Sequence, residues 1–340
     1  MDEGAGPETS TFARLEQRLL GGPRQLSLPE VAERLGVPTQ RVLALWQVFG
    51  LPEDADAKVL TEYDAQVLGL LFEHSDRSML GSDVAAQLVR SVGHLTDRLV
   101  VWQLEALVEH LARRYELDDV SARLLLLDRL ADAAPVLQEQ LVHAWRQQLV
   151  AHMGRMAAQV ATARGAPDDA RLPLTRAVGF ADIVSFTART AGMTAGELAD
   201  FVQGFEVRTQ DVVSRAGART VKTIGDAVFF VADDARSGGL VALELARTFD
   251  AGSPTPVRVG LVWGHVLARF GDVYGTPVNL AARLTAAAEP GAVLTDEVTA
   301  ALLAAEPGFR LTPLANQDLP GVGEVRPVLV EAAEVSPGRG

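Results

Sequence analysis

Two aspartates stand where apolar stretches break off. Asp182 lies just before Ser185-Phe-Thr187, and Asp226 belongs to a Gly225-Asp226 pair that joins two apolar runs. A carboxylate on a tight turn can serve the turn alone. A strand end leading into a helix N-terminus, however, offers free amides to an anion. Paired with a second carboxylate, it has the makings of a two-cation phosphate site. Hard divalent cations take carboxylate oxygens together with substrate phosphates. Two of them about 3.5–4 Å apart can activate an attacking oxygen and stabilise a leaving one.

Asn279 and Arg283 are four residues apart in a predicted helix and so share a face. Lys222 lies four residues before Asp226. Composition sharpens these choices. Lysine occurs only at 58 and 222, asparagine only at 279 and 316, and isoleucine only at 183 and 224. Arginine, alanine and leucine abound, as expected of drift against AT-rich codons. A surviving Lys or Asn is then worth inspecting, and one of each falls at the candidate site. Both isoleucines flank its aspartates.

The elements that must hold these residues begin at about 172. Ala177–Ile183 reads as a strand, and Thr194-Ala-Gly-Glu197 as a capping box heading a helix with Leu198, Phe201, Val202 and Phe205 on one face. Arg219–Ile224 and Ala227–Val231 form a hairpin about Gly225-Asp226. A helix over 237–249, strands Val257–Trp263 and Val266–Phe270, and a helix Val278–Ala288 follow. The order β-α-β-β-α-β predicts a ferredoxin-like core in an α+β protein.

Upstream, 13–163 reads as helix after helix. The predicted spans include 80–93, 97–115, 118–132 and 136–163. Ser27-Leu-Pro-Glu30 is a capping box, and that helix stops at Gly36. On the last helix Leu137, Leu141, Trp145, Leu149, Met153, Met156 and Val160 form an apolar stripe. It suits either an ordinary core helix or a dimer-forming linker. Breakers at Arg164-Gly-Ala-Pro167 end it. The expected organisation is a flexible tail (1–12), an all-α unit (13–165) and an α+β unit (172–334).

The chain of 340 residues carries 31 Lys+Arg against 44 Asp+Glu, a net charge of −13, and no cysteine. The absence of cysteine excludes disulfides, a thiolate zinc site and a cysteine nucleophile. No apolar run approaches the ~18–20 residues of a membrane span. Met1-Asp2-Glu3 does not open like a signal peptide, so a soluble, cytoplasmic protein is expected. Residues 1–150 hold 14 basic and 23 acidic groups, and 151–340 hold 17 and 21. Neither half presents a surface that would neutralise nucleic-acid phosphates.

Four segments together carry a resemblance: Phe180-Ala-Asp-Ile-Val-Ser-Phe-Thr187, Val221-Lys-Thr-Ile-Gly-Asp-Ala-Val228, Gly271-Asp-Val-Tyr-Gly275 and Pro277-Val-Asn-Leu-Ala-Ala-Arg283. In this order they resemble the catalytic domain of class III nucleotidyl cyclases over about 172–334. The resemblance implies that Asp182 and Asp226, with the Ile183 main-chain carbonyl, hold two Mg²⁺ or Mn²⁺ ions. Lys222 and Asp272 would read the purine and favour ATP. Asn279 would orient the ribose, and Arg283 would stabilise charge on the α-phosphate. Backbone amides from Ile183 to Thr187, including Phe186 and Thr187, would cradle the triphosphate. The family builds each site from two chains, which implies a head-to-tail homodimer converting ATP to 3′,5′-cyclic AMP and pyrophosphate. A guanylate cyclase is the near alternative. There are departures from the family pattern. The C-terminal lysine of many relatives is missing from Asp318–Glu324, leaving Arg310 or Arg326 as substitutes, and His265 stands where some members have a phosphate-contacting arginine.

The helical half resembles the regulatory domain ahead of some actinobacterial adenylate cyclases, a group associated with pH sensing. Its Leu26–Leu68 stretch has the rhythm of a MerR-like helix-turn-helix. That leaves a nucleotide-sensing transcription regulator as an alternative. Charge argues against it, since over 26–75 Arg34, Arg41 and Lys58 face eight acidic residues. Five of the six histidines (His74, His94, His110, His143, His152) lie in this half. Histidine changes charge near neutral pH, so an inhibitory helical unit released through His143 and His152 is the regulatory expectation.

Overall fold

Ser27 sets the first elements by local chemistry. Its hydroxyl accepts from the Glu30 N–H at 3.5 Å, while the Glu30 carboxylate accepts from the Ser27 N–H at 2.7 Å. This capping box starts α2 (Leu28–Leu35), and Gly36, at φ 64°, ends it in the left-handed conformation. The computed structural model describes residues 11–48, 57–77, 82–163, 174–269 and 271–333. The chain divides into two compact units, Met1–Ala166 and Pro167–Gly340.

The first unit is all helical. It comprises α1 (Thr11–Leu20), α2, α3 (Thr39–Val48), α4 (Glu62–Arg77), α5 (Ser82–Tyr115) and α6 (Asp119–Ala163). Leu28, Val31, Val42, Leu60 and Leu68 form one buried core, and Val108, Ala122 and Leu126 a second between α5 and α6. Thr11 and Phe12 open α1, so the expected tail does not extend to residue 12; residues 1–10 lie outside the described residues. The breaks expected at 94–96 and 133–135 are absent. Helix α6 runs through Pro135, which removes one N–H donor but is flanked by strong helix formers. The described residues do not bury the last stripe as a core helix of the first unit would be buried. Leu141, Trp145, Leu149, Met153, Met156 and Val160 are all exposed, Trp145 at 62% and Met156 at 63%. Among the described residues no helix is long and apolar enough to cross a membrane.

In the second unit, strand alternation buries both faces of a sheet. The strands are β1 (Leu174–Ile183), β2 (Arg219–Ile224), β3 (Ala227–Ala232), β4 (Val257–Arg269), β5 (Asp272–Tyr274), β6 (Val293–Thr295), β7 (Phe309–Pro313) and β10 (Val328–Ala332). Their order is β2-β3-β1-β4-β6-β10-β7, with β5 paired to β4, and β8 (Gln317–Leu319) pairs β9 (Gly323–Val325) separately. The β2-β3-β1-β4 part is antiparallel throughout. With the helices between its strands it is the ferredoxin-like βαββαβ core expected.

The helices are α7 (Phe186–Thr190), α8 (Ala195–Arg215), α9 (Ala235–Thr248), α10 (Thr276–Ala287) and α11 (Glu297–Ala304). On one sheet face Ala177, Ala181, Val228 and Phe230 pack with Phe205 and Val212 of α8 and Leu245 of α9. On the other, Val178, Phe180, Phe229 and Val231 pack with Ala281 and Leu284 of α10. Phe180 and Phe229 stack at 4.5 Å between centroids.

The two strands expected over 257–270 are one, β4. Gly264 reads as a break in sequence, but it is a close approach: a Cβ there would lie 2.5 Å from Pro277 Cγ at the start of α10. Gly260 has the same use one turn further along α10. A Cβ there would meet the Ala281 carbonyl oxygen at 2.4 Å and Thr285 N at 2.5 Å. The two glycines seat α10 directly on the sheet.

Candidate active site

Antiparallel register places the first aspartate. Asp182 sits opposite Ala227 on β3 and opposite Arg258 on β4. Asp226 occupies the turn between β2 and β3, after Gly225 at φ 61°. The Ile183 N–H donates to the Asp226 carbonyl oxygen at 3.2 Å, so the turn is tied to the end of β1. The two carboxylate-bearing residues are thus neighbours at one end of the sheet. Burial pushes the Asp182 carboxyl above its ordinary range, and the charge of Asp226 adds to the rise. Arg258 opposes both.

Arg258 is the site residue that sequence reasoning missed. Its Nε and Nη2 donate to Asp182 Oδ2 at 2.8 and 2.7 Å, and its Nη1 donates to the Ala286 carbonyl oxygen at 3.1 Å. The last contact satisfies a carbonyl in the final turn of α10, where a cation is favourable. The only sequence signal for it would have been the β1–β4 register, which needs the fold.

The pair expected to read the purine comes together. Lys222 on β2 donates through Nζ to Asp272 Oδ2 at the start of β5. Burial raises the Asp272 carboxyl, but the Lys222 ammonium and the Val273 N–H (2.8 Å) together hold it below the usual carboxylate range.

Asn279 and Arg283 lie on α10 as expected, both exposed. They project from the side of the helix opposite its buried Ala281, Leu284 and Thr285. The structure therefore turns them away from the sheet that carries Asp182. Phe186 packs beside Phe201 at 6.1 Å between centroids, while Thr187 is exposed.

The candidate substitutes for the missing lysine are engaged elsewhere. Arg310 pairs with Glu331 at 3.0 Å, and Arg326 donates through Nε to the Leu314 carbonyl oxygen at 3.3 Å. His265 Nδ1 lies 3.0 Å from Thr175 Oγ1 across β1 and β4. In the first unit the bases of the helix-turn-helix-like stretch are also occupied. Arg34 pairs with Glu62 at 2.7 Å, Lys58 with Glu30, and Arg41 lies over the Phe72 ring at 5.1 Å. Phosphates would have to displace each.

A cation at the sheet end must be held by few protein ligands. Among the described residues no three His, Asp or Glu side chains are grouped to hold a metal ion. Asp182 and Asp226, aided by main-chain oxygen and a substrate phosphate, fit a hard divalent ion that keeps part of its shell for substrate.

This fold is that of a nucleotidyl cyclase catalytic domain, and comparison with known proteins agrees. The family model described as the adenylate and guanylate cyclase catalytic domain matches residues 175–332. An adenylate cyclase of Glutamicibacter nicotianae is 42% identical over 334 residues, covering 95% of this chain and 83% of its own. One of Streptomyces coelicolor is 38% identical over 291 residues, covering 83% and 73%. A pH-sensitive adenylate cyclase of Mycobacterium tuberculosis is 29% identical over 334 residues, covering 93% and 80%. The chain belongs to the class III adenylate cyclases, enzymes of a family that generally uses divalent metal ions.

Proposed function

We propose that the protein converts ATP to 3′,5′-cyclic AMP and pyrophosphate at two sites shared across a head-to-tail homodimer. One observation carries this reading. Asp182 and Asp226 meet at one end of the sheet, whereas Asn279 and Arg283 face away from it on α10. A nucleotide that touches all four needs a second copy of the chain.

In this reading Asp182 and Asp226, with the Ile183 carbonyl, hold two Mg²⁺ or Mn²⁺ ions. When bound, these lower the pKa of the ribose hydroxyl and offset phosphate charge. Lys222 donates to purine N1 and Asp272 accepts from the exocyclic amine. Their mutual contact in the free protein keeps both oriented toward the base. Asn279 orients the ribose, and the amides of Ile183 to Thr187 hold the triphosphate. The 3′-oxygen attacks the α-phosphorus, the bond to pyrophosphate breaks, and the hydroxyl proton leaves to solvent. Arg283 stabilises the charge that gathers on the α-phosphate. Arg258, beside Asp182, is a further cation within the phosphate region.

The helical unit, 13–165, restrains the catalytic unit, 172–334, and protonation near His143 and His152 on α6 shifts that restraint. The pH-sensitive relative and the exposed apolar stripe on α6 support this. Purified protein with Mg²⁺ or Mn²⁺ is expected to form cyclic AMP from ATP and far less cyclic GMP from GTP; the reverse preference would make it a guanylate cyclase. The full chain and a 165–340 fragment are expected to differ in activity between about pH 5.5 and 8. Identical profiles and levels would remove the regulatory part.

A further inference from the structure

Beside Asp182 the chain adopts a backbone conformation that its residue disfavours. Ser185 has φ 58° and ψ 38°, and its side chain makes no capping bond. A residue with a side chain populates this left-handed region roughly tenfold less than glycine does. Something in the surroundings must hold it.

The surroundings identify the holder. The Val184 N–H donates to the Pro256 carbonyl oxygen at 2.8 Å, and the Phe186 ring is packed beside Phe201. Between these anchors, the Arg189 guanidinium donates through Nε to the Val184 carbonyl oxygen at 2.9 Å. Through Nη1 it donates to the Pro254 carbonyl oxygen, also at 2.9 Å. The Val184 carbonyl shares a rigid peptide plane with the Ser185 N–H. Fixing the direction of that carbonyl sets the plane on one side of the Ser185 N–Cα bond and so restricts φ of Ser185. The Arg189 N–H closes the turn on the Ser185 carbonyl oxygen at 3.0 Å.

We propose that Arg189 is a positioning residue: it staples the Val184–Thr187 turn to the Pro254–Pro256 segment and keeps Ser185 left-handed, so that the turn is preset beside Asp182 for the triphosphate. The proposal rests on the reading above, in which this turn faces the nucleotide. Arg189 does not touch substrate. It removes the need for ATP to order the turn on binding.

The full-length protein tests this with Arg189→Met, Arg189→Lys, Ser185→Gly and the double variant Ser185→Gly/Arg189→Met. Two readouts are taken: amide hydrogen exchange over 183–191 without nucleotide, and steady-state kinetics with ATP. Arg189→Met is expected to speed exchange about tenfold and raise KM about fivefold or more, with kcat within about twofold. Arg189→Lys, able to reach one carbonyl at a time, falls between it and wild type. Glycine at 185 reaches the left-handed conformation without being held, so adding Arg189→Met to Ser185→Gly is expected to change exchange over 183–191 by less than about twofold. Unchanged exchange or unchanged KM in Arg189→Met overturns the proposal, as does a defect of the same size in the Ser185→Gly background. Should the wild-type protein form no cyclic AMP, the proposed function fails, while the exchange measurement still decides whether Arg189 holds the turn.

Discussion

Arg258 places two of its guanidinium nitrogens, Nε and Nη2, on a single oxygen of Asp182, at 2.8 and 2.7 Å. Both side chains are largely withdrawn from water, 33% and 19% exposed. The pair therefore matters to the charge balance of the sheet end more than an exposed one would.

The Asp182 carboxyl is nevertheless raised, by burial and by Asp226. Its folded pKa lies above its unfolded one, so the folded state binds more protons in that window. Stability is then greatest below the unfolded value and falls as pH rises through the folded value. Asp182→Asn is expected to flatten this dependence and melt higher than wild type at neutral pH when divalent ions are absent. Thermal melts from pH 4 to 7.5 in chelator, on a scale set by the ordinary aspartate value of about 3.9, provide the check. A wild-type Tm that climbs steadily over that range relative to Asp182→Asn would contradict the assignment.

Lys222 and Asp272 hold each other in the free protein, so losing either disturbs both. Lys222→Ala and Asp272→Ala are each expected to lower kcat/KM for ATP by about 10²-fold, since a site built to bond polar groups rejects mispaired ones strongly. The double variant should cost less than the product of the single losses. Strict multiplicativity in the cycle would show that the two act independently.

Gly260→Ala tests how closely α10 must lie on the sheet. The added methyl would stand 2.4 Å from the Ala281 carbonyl oxygen and 2.5 Å from Thr285 N, both in the helix that carries Asn279 and Arg283. A loss of about 1–3 kcal/mol in urea denaturation is expected, with a fall in kcat among molecules that remain folded. Wild-type stability and turnover together would mean that the helix can move off at no cost.

What was legible in the sequence follows from how local each cause is. Ser27 and Thr194 announce their helices because the whole capping box lies within four residues, and both boxes are formed. Gly225-Asp226 marks its hairpin for the same reason. Gly264 misleads because a glycine needed for Pro277, in the next element, looks like a strand break. Arg258 and Arg189 were not legible. One acts across a strand register and the other reaches a loop 65 residues away. Asn279 and Arg283 were found by residue type and spacing, but only the packing of α10 shows that they face outward.

The exposed stripe on α6 gives a prediction for the first unit. Trp145→Glu combined with Met153→Glu puts charge into an apolar face that the described residues of the helical unit leave exposed. Sedimentation of the full chain is expected to show weaker self-association, and activity per molecule should fall on dilution more steeply than in wild type. An unaltered dimer would assign the stripe to some other contact.

The shared site is tested most directly by complementation. Asp182→Ala and Arg283→Ala are each expected to abolish cyclic AMP formation. In an equal mixture about half the dimers pair the two variants, and each of these has one of its two sites intact, so about one quarter of wild-type activity should return. If mixtures that exchange subunits stay as inactive as the separate variants, the site is not built from two chains and the central claim is wrong.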